Sequence, residues 1–185
     1  MILHVQVMRD IVQRTADAMV AEGCTFQGVL FAGLMIKDGH AKLLEHNVRF
    51  GDPEVQCLMA RLQSDLLPVL QGAAHGQLHG GQLQWSAETA LTVVMAAQGY
   101  PGSYQKGSRI GSLDDVRDAK VFHAGTALND QNQVVAAGGR VLGITGTGRT
   151  VQEAQQKAYA AVKAIDWPEG FYRTDIGWRA TAREG

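Results

Sequence analysis

Three polar residues at alternate positions give the clearest chemical signal in the sequence. Glu45, Asn47 and Arg49 lie within the segment LLEHNVRFGDPEVQ, residues 43–56. If KLLEHNVR is a β-strand, side chains alternate between its two faces, so these three residues share one face with Leu43. Carboxylate and amide oxygens are hard ligands suited to Mg²⁺. A guanidinium beside them binds oxyanions, so the segment is typical of phosphoryl transfer.

A simpler interpretation stays open on spacing alone. An edge strand with a solvated polar face, followed by a capped helix, gives the same alternation. Asp52 and Pro53 are typical of a helix start, with Asp52 as the N-cap and Pro53 at the first helical position. For Asp52 taken by itself, the helix cap is favoured over a catalytic role.

Periodicity and turn residues predict the elements around this segment. HVQVMRDIVQRTADAMVAEG predicts an opening helix that stops at Gly23. FQGVLFAGLMI predicts a buried strand, and the turn KDGH joins it to the returning strand AKLLEHNVRF. Helical spacing follows Asp52, and Pro68 predicts that this helical region is interrupted.

The second half of the sequence has a different pattern. Residues 72–81 are glycine-rich, which predicts a boundary between domains 1–81 and 82–185. ALTVVMAA, AKVFHAGTAL and QVVAAGGRVLGITG predict strands, and Thr150 with Glu153 forms the capping box of a long helix. The predicted class is α+β: helices and antiparallel strands, then a small β-rich domain with one packed helix.

The composition excludes several classes of protein. The chain of 185 residues carries 17 basic and 18 acidic residues, so no basic surplus indicates a nucleic-acid partner. Two cysteines make neither a disulfide framework nor a zinc site. No apolar run approaches the ~20 residues of a membrane span. The first residues do not resemble a signal peptide, so we expect a cytoplasmic protein without a membrane partner.

The literal strings narrow the prediction to one family. RFGDPEVQ, residues 49–56, closely resembles the signature of the phosphoribosylamine–glycine ligases, also called glycinamide ribonucleotide synthetases. Six further strings resemble that family in its order and spacing: FAGLMI, LEHNVRFGDPE, LTVVMAAQGYPGSYQKG, KVFHAGTAL, GGRVLGITGTGRTVQEAQQKAY and FYRTDIGWRA. The resemblance covers essentially the whole chain from about Val7 onward. It implies the C-terminal portion of an ATP-grasp module, followed by the family's C-terminal domain.

The resemblance also implies an activity and residue roles. The family joins glycine to 5-phosphoribosylamine with ATP, through an acyl phosphate, in the second step of purine biosynthesis. Glu45 and Asn47 would be Mg²⁺ or Mn²⁺ ligands, and together with Arg49 would bind the nucleotide phosphates. Arg49 would stabilise the acyl phosphate or the tetrahedral intermediate, and Asp52 would orient a substrate amine. His46 replaces the usual aromatic residue and would face away from the metal.

The resemblance is limited to the family's C-terminal part. The sequence has no counterpart of the adenine pocket or of the loop that covers the phosphates. Exposure to water weakens interactions with phosphate, so we expect negligible ligase activity from the chain alone. Such a chain would be an expressed fragment, a truncated gene product or one half of a split enzyme, with a separate N-terminal half as its partner.

The sequence leaves room for two other functions and three other candidate sites. A non-catalytic ATP-grasp-derived binding module is disfavoured by the intact metal-ligand set, and another ATP-grasp enzyme, such as a carboxylase, by the family-specific strings. GITGTGRT resembles a phosphate cradle, although a tight turn before a capped helix is favoured. His75 and His79 have metal-like spacing in a loop, without a carboxylate. Tyr100, Tyr104 and Lys106 could line a substrate site or form a structural turn.

Overall fold

The computed structural model describes residues 2–78 and 83–184 as an α+β structure. The chain divides into two compact units. The first unit comprises Met1–Gly51 and Ser64–Leu83, and the second comprises Asp52–Gln63 and Gln84–Gly185. The predicted boundary between residues 81 and 82 lies outside the described residues, so the two predicted domains stay a prediction. The segment from Asp52 to Gln63 belongs to the second unit, although it precedes the end of the first in the sequence.

The opening helix is confirmed and has a π-helical middle. Helix α1 spans Ile2–Val7, a π-helical stretch spans Met8–Gln13, and α2 spans Arg14–Ala21. Gly23 has φ +74°, and the amides of Gly23 and Cys24 donate to the carbonyls of Val20 and Met19. These two bonds form a Schellman motif, so Gly23 ends the helix as predicted.

The predicted hairpin forms the rest of the first unit together with helix α4. Strands β1, Phe31–Lys37, and β2, His40–Asn47, pair antiparallel across a turn at Asp38 and Gly39, which both have positive φ. The prediction of a buried strand from Phe26 is wrong: β1 begins five residues later, and Met35 and Ile36 are more than half exposed. This sheet has two strands, so its outer residues are not covered by further strands within the described part of the unit.

Two short helices follow the hairpin in the sequence. Helix α3, Glu54–Arg61, belongs to the second unit, and α4, Leu67–Ala74, belongs to the first. The interruption that Pro68 predicts is therefore present. The Asp65 side chain accepts a hydrogen bond from the first helical amide of α4, that of Leu67, at 2.9 Å.

A four-stranded antiparallel sheet forms the centre of the second unit, in the order β4-β7-β3-β8. Its strands are β3, Thr89–Ala97; β4, Ala119–His123; β7, Arg140–Gly148; and β8, Gly170–Phe171. A separate pair is formed by β5, Thr126–Leu128, and β6, Val134–Ala136. A 3₁₀ turn spans Leu113–Asp115.

Two of the predicted strands are each divided in two. AKVFHAGTAL becomes β4 and β5, and QVVAAGGRVLGITG becomes β6 and β7. The breaks fall at Gly125 and Gly138, whose backbones approach so closely that a Cβ on Gly125 would lie 3.0 Å from the Gly138 Cα atom. A Cβ on Gly125 would also lie 2.5 Å from the Arg140 carbonyl oxygen, so this close approach of the two backbones requires glycine at position 125.

Helix α5, Val151–Ala164, covers one face of the four-stranded sheet. The Thr150 half of the predicted capping box is confirmed, because the Glu153 amide donates to Thr150 Oγ1 at 3.1 Å; the Glu153 side chain accepts from the amide of Arg149, one residue before the N-cap, at 2.9 Å. Small residues let the helix approach the strands, because a Cβ on Gly146 would meet the Ala154 carbonyl oxygen. Helix α6, Trp178–Glu184, follows. The fully buried core combines Val93, Val141, Leu142, Ile144, Ala154 and Ala158.

The helices are too short or too polar to cross a lipid bilayer. This holds for every helix within residues 2–78 and 83–184.

Candidate functional site

Strand β2 brings Glu45 and Asn47 together. The Asn47 side-chain amide donates to Glu45 Oε1 at 3.1 Å, so both side chains lie on the same face of the strand. Glu45 is exposed and Asn47 is half-buried. The side chains of Glu45 and Asn47 are therefore neighbours, and the Glu45 carboxylate and the Asn47 amide oxygen are the hard oxygen ligands that they can offer to one divalent ion.

A register shift between β1 and β2 decides which residues share the face of Glu45. Gly33 pairs with Glu45, but the next pair is Leu34 with Leu43, so Leu44 is an extra residue in β2. Because paired residues point to the same side of a sheet, Leu43 faces away from Glu45. The prediction that Leu43 shares the face of Glu45 and Asn47 is therefore wrong.

His46 lies on the opposite face of β2, as predicted. Its Nε2 atom is 3.1 Å from Thr15 Oγ1 of helix α2, and Leu43 lines the same hollow against this helix. Within the described residues, the buried His46 Nδ1 atom has no hydrogen-bond partner. His46 thus belongs to the packing between helix α2 and the hairpin, and not to the face that carries Glu45.

Arg49 lies beyond the last residue of β2, so the strand alternation does not extend to it. Its Nη1 atom donates to the carbonyl of Phe50 at 2.8 Å. In the part of the chain that the structure describes, no hydrogen bond or ion pair joins Arg49 to Glu45 or Asn47. The predicted strand is therefore too long by at least two residues, Arg49 is an exposed residue of the following bend, and its position on the face of Glu45 and Asn47 stays a prediction.

Asp52 does not cap helix α3. The helix begins at Glu54 with Pro53 as its N-cap residue, and no side chain accepts a hydrogen bond at this cap. The Asp52 carboxylate instead pairs with Arg140 of β7, with Asp52 Oδ2 3.0 Å from Nη2. The predicted N-cap role is wrong because this guanidinium, not the helix amides, engages the carboxylate. Sequence reasoning missed Arg140, and no local pattern links it to Asp52.

The donor set on β2 fits a divalent ion that is also bound by other groups. The described residues hold no cluster of three or more His, Cys, Asp or Glu that could bind a metal alone. Glu45 and Asn47 supply two oxygen ligands, and Mg²⁺ is commonly held by one or two protein oxygens together with substrate phosphates. Gly33 leaves room for this arrangement, because a Cβ there would lie 2.9 Å from Glu45 Cγ.

The other sites suggested by the sequence have different surroundings. His75 Nδ1 lies 2.7 Å from the Gln71 carbonyl at the end of α4, and His79 is outside the described residues. Tyr104 and Lys106 line a cavity of about 940 Å³ in the second unit. Tyr100 instead packs against Gly139 and makes an edge-to-face contact with Tyr104, 6.2 Å between ring centroids.

The first main-chain amides of helix α5, which follows GITGTGRT, donate hydrogen bonds to side chains of the protein. The amides of Val151 and Gln152 donate to the two carboxylate oxygens of Glu184 at 2.8 and 3.1 Å. The next amide, that of Glu153, donates to Thr150. The amides that would bind a phosphate therefore already have acceptors, and the preference for a capped helix over a phosphate cradle is confirmed.

Comparisons with known proteins place these features in a family. The model described as "Phosphoribosylglycinamide synthetase, ATP-grasp (A) domain" matches residues 2–55, which assigns the hairpin with Glu45 and Asn47 to the ATP-grasp class. The model of the C domain of the same synthetase matches residues 90–179. Together the two models span most of the chain. The chain belongs to the phosphoribosylglycinamide synthetase family, as the sequence resemblance predicted.

Individual relatives agree with this assignment. The chain is 57% identical to a phosphoribosylamine–glycine ligase of Rhizobium meliloti, over 96% of this chain and 42% of the relative. It is 56% identical to a chloroplastic one of Arabidopsis thaliana, over 94% of this chain and 34% of the relative. The crystal structure of phosphoribosylamine–glycine ligase from Thermotoga maritima matches 93% of this chain and 42% of that chain, with a TM-score of 0.79 and 32% identity. The chain thus spans between a third and a half of the length of these relatives.

Proposed function

We propose that this chain supplies the metal-binding side of a phosphoribosylamine–glycine ligase. The observation that carries the proposal is the pair formed by Glu45 and Asn47 on one face of β2, where the Asn47 side-chain amide donates to Glu45 Oε1 at 3.1 Å. The ATP-grasp class uses ATP and a divalent metal, and we propose Mg²⁺ or Mn²⁺ because both ligands are hard oxygens. The substrates would be ATP, glycine and 5-phosphoribosylamine, as the names of the relatives imply.

The proposed reaction has two chemical steps. A carboxylate oxygen of glycine attacks the γ-phosphorus of ATP, the bond to the bridging oxygen breaks, and ADP leaves with glycyl phosphate formed. The amine nitrogen of phosphoribosylamine then attacks the carbonyl carbon; the C–N bond forms, the C–O bond to phosphate breaks, and the nitrogen loses a proton. A divalent ion held by Glu45 and Asn47 would neutralise the negative charge of the phosphate groups.

The proposed residues of this chain would have two roles, which are binding of the metal ion and substrates and stabilisation of negative charge. Glu45 and Asn47 would hold the ion and, through it, the phosphates. Arg49, exposed beyond the end of β2, would offer its guanidinium to the acyl phosphate or the tetrahedral intermediate. Asp52 would orient a substrate amine through its carboxylate.

A cytoplasmic location of this chain stays a prediction. The name of the Arabidopsis thaliana relative gives that protein a chloroplast location.

The test joins this chain to the part of the Rhizobium meliloti relative that it does not match, placed upstream; we call the product the joined protein. ATP-dependent release of phosphate is measured with glycine and phosphoribosylamine, for the joined protein and for this chain alone. We expect release only from the joined protein and only when both substrates are present. The same chain mixed with a separate upstream part tests the split-enzyme alternative.

Two results would contradict the proposal. Release from this chain alone would overturn the account of what the remaining length of the relatives supplies. No release from a joined protein that is folded by circular dichroism and elutes as one species would favour the alternative of a non-catalytic ATP-grasp-derived module. Omission of glycine serves as the control for ATP hydrolysis that is not coupled to ligation.

A further inference from the structure

Arg140 binds Asp52 through two different groups of that residue. Its Nη2 atom lies 3.0 Å from Asp52 Oδ2, and its Nη1 atom donates to the Asp52 main-chain carbonyl at 3.5 Å. The guanidinium therefore contacts the side chain and the backbone of the same residue with two of its nitrogens. A planar fork can make this pair of contacts at once, whereas an ammonium group reaches one atom at a time.

Both partners of this contact are attached to well-packed parts of the second unit. Arg140 is the first residue of β7 and pairs with Ala96 of β3, and it is followed directly by the fully buried Val141 and Leu142. Helix α3, which starts two residues after Asp52, packs on the same sheet through the buried Gln56. The main chain on each side of the ion pair is thus held by the same sheet.

Further bonds keep helix α3 in this position. Cys57 Sγ lies 3.1 Å from Thr92 Oγ1, which in turn is 2.7 Å from Thr145 Oγ1. At the end of the helix, Arg61 Nη2 donates to the Ser86 carbonyl at 2.9 Å. The helix therefore does not depend on Arg140 for its attachment, so loss of the guanidinium frees the Asp52 carboxylate without detaching α3.

The Asp52 carboxylate keeps one oxygen available. Its Oδ2 atom faces Arg140, while Oδ1 has no hydrogen-bond partner among residues 2–78 and 83–184. The side chain is 41% exposed, so the carboxyl group is open to solvent and ligands over part of its surface. The ion pair of Oδ2 with Arg140 restricts the orientations of the carboxylate and so favours particular directions in which Oδ1 can accept a hydrogen bond.

We propose that Arg140 is a positioning residue for the second step of the ligation: it orients Asp52 so that Oδ1 accepts a hydrogen bond from the attacking amine of phosphoribosylamine. This inference rests on the proposed function. Arg140 itself touches no substrate and acts through Asp52. The first step, formation of glycyl phosphate, does not use this amine and is independent of Arg140.

The two steps can be measured separately in the joined protein. Hydroxylamine attacks the carbonyl carbon of glycyl phosphate and releases phosphate, so glycine hydroxamate reports the first step without phosphoribosylamine. Ligation is measured in parallel at varied phosphoribosylamine concentration. We expect Arg140→Gln to leave hydroxamate formation within about twofold and to lower kcat/KM for phosphoribosylamine at least about tenfold, since small misplacements of a reacting group are costly. Asp52→Asn should show the same separation.

The controls distinguish positioning from a general structural role. Arg173→Gln removes an exposed arginine that pairs with Asp175 at 2.7 Å elsewhere in the same unit, and it should change neither step. Arg140→Lys should recover part of the ligation rate, because a lysine keeps the charge but loses the second contact. A loss of folded protein affects both steps equally, whereas positioning separates them.

Two kinds of result would contradict the positioning role of Arg140. Unchanged ligation in Arg140→Gln, or an equal fall in both steps, would overturn the role of Arg140 while leaving the ligase function intact. A parent joined protein that forms no hydroxamate would contradict the ligase function itself and with it this role.

Discussion

Gly33 lies directly opposite Glu45 in the antiparallel pair of β1 and β2. A Cβ atom at Gly33 would come within 2.9 Å of Glu45 Cγ and 3.6 Å of Glu45 Oε1. The absence of a side chain at Gly33 thus gives the Glu45 side chain the space in which it lies beside Asn47. This steric relationship connects a glycine of the first strand to the proposed metal ligands of the second.

Gly33→Ala should therefore displace the Glu45 carboxylate from Asn47 while the hairpin remains folded. We expect hydroxamate formation by the joined protein to fall about tenfold, because a ligand moved by part of an ångström binds the ion poorly. The melting temperature should change by less than about 4 °C, since alanine is otherwise tolerated better than glycine in a strand. The rate of hydroxamate formation is measured over a series of Mg²⁺ concentrations for the parent and for Gly33→Ala.

The matched control is Gly111→Ala in the second unit. A Cβ at Gly111 would meet Asp166 at 3.4 Å, which is an ordinary contact. This variant should keep the parent rate at every Mg²⁺ concentration. If Gly33→Ala behaved in the same way, the steric account of Glu45 placement would be wrong.

Glu184→Gln should destabilise the second unit. The Glu184 carboxylate accepts from the first two amides of α5, where the helix dipole favours negative charge, and a neutral amide group replaces only part of this interaction. We expect the melting temperature of the second unit to fall by about 2–4 °C. Glu22→Gln, a neutralised carboxylate at the end of α2, is the control. An equal melting temperature for parent and Glu184→Gln would show that the carboxylate adds nothing to the capping box.

Acid should weaken the start of α5 through Glu153. Hydrogen bonds from Lys157 and then from the Arg149 amide lower the pKa of Glu153. A carboxyl group with a lowered folded-state pKa stabilises the fold above its unfolded pKa, roughly 4.3, and this contribution is lost as the pH falls through the lowered value. Glu153→Gln should therefore melt below the parent at pH 7, and the difference should shrink as the pH falls below the unfolded-state pKa and through the lowered folded-state pKa.

The measurement is a series of thermal melts from pH 7 to pH 3 for the parent and Glu153→Gln. Glu88→Gln removes another carboxylate of the second unit and controls for net charge. A melting difference between parent and Glu153→Gln that stays constant over the whole series would contradict the assignment of the acid effect to this group.

Local sequence patterns were sufficient for the elements whose ends depend on neighbouring residues. Gly23 ends α2, the Asp38–Gly39 turn closes the hairpin, and the Thr150–Glu153 box starts α5, because each uses hydrogen bonds or φ values within a few residues. The common face of Glu45 and Asn47 follows in the same way from the period of a strand.

The remaining features depend on contacts between distant residues. If pairing is counted from the hairpin turn, Gly33 would pair with Leu44. The extra residue in β2 moves the pairing of Gly33 to Glu45, and no local sequence pattern predicts this register shift. Asp52 had the right local surroundings for a helix cap, yet its partner Arg140 lies 88 positions away. The sequence likewise predicts two continuous strands, which the structure divides where the distant residues Gly125 and Gly138 approach each other.

The most direct test of the proposed metal-binding side uses Mn²⁺ as a paramagnetic probe on this chain. Amide resonances are recorded by ¹H–¹⁵N NMR during a titration with Mn²⁺, for the parent, Glu45→Gln and the control Glu22→Gln. We predict that the resonances of residues 45–47 and of Gly33 broaden first, and that Glu45→Gln removes this selectivity while Glu22→Gln retains it. Broadening that begins elsewhere in the chain, or that is the same in the parent and Glu45→Gln, would contradict the assignment of Glu45 and Asn47 as the metal ligands.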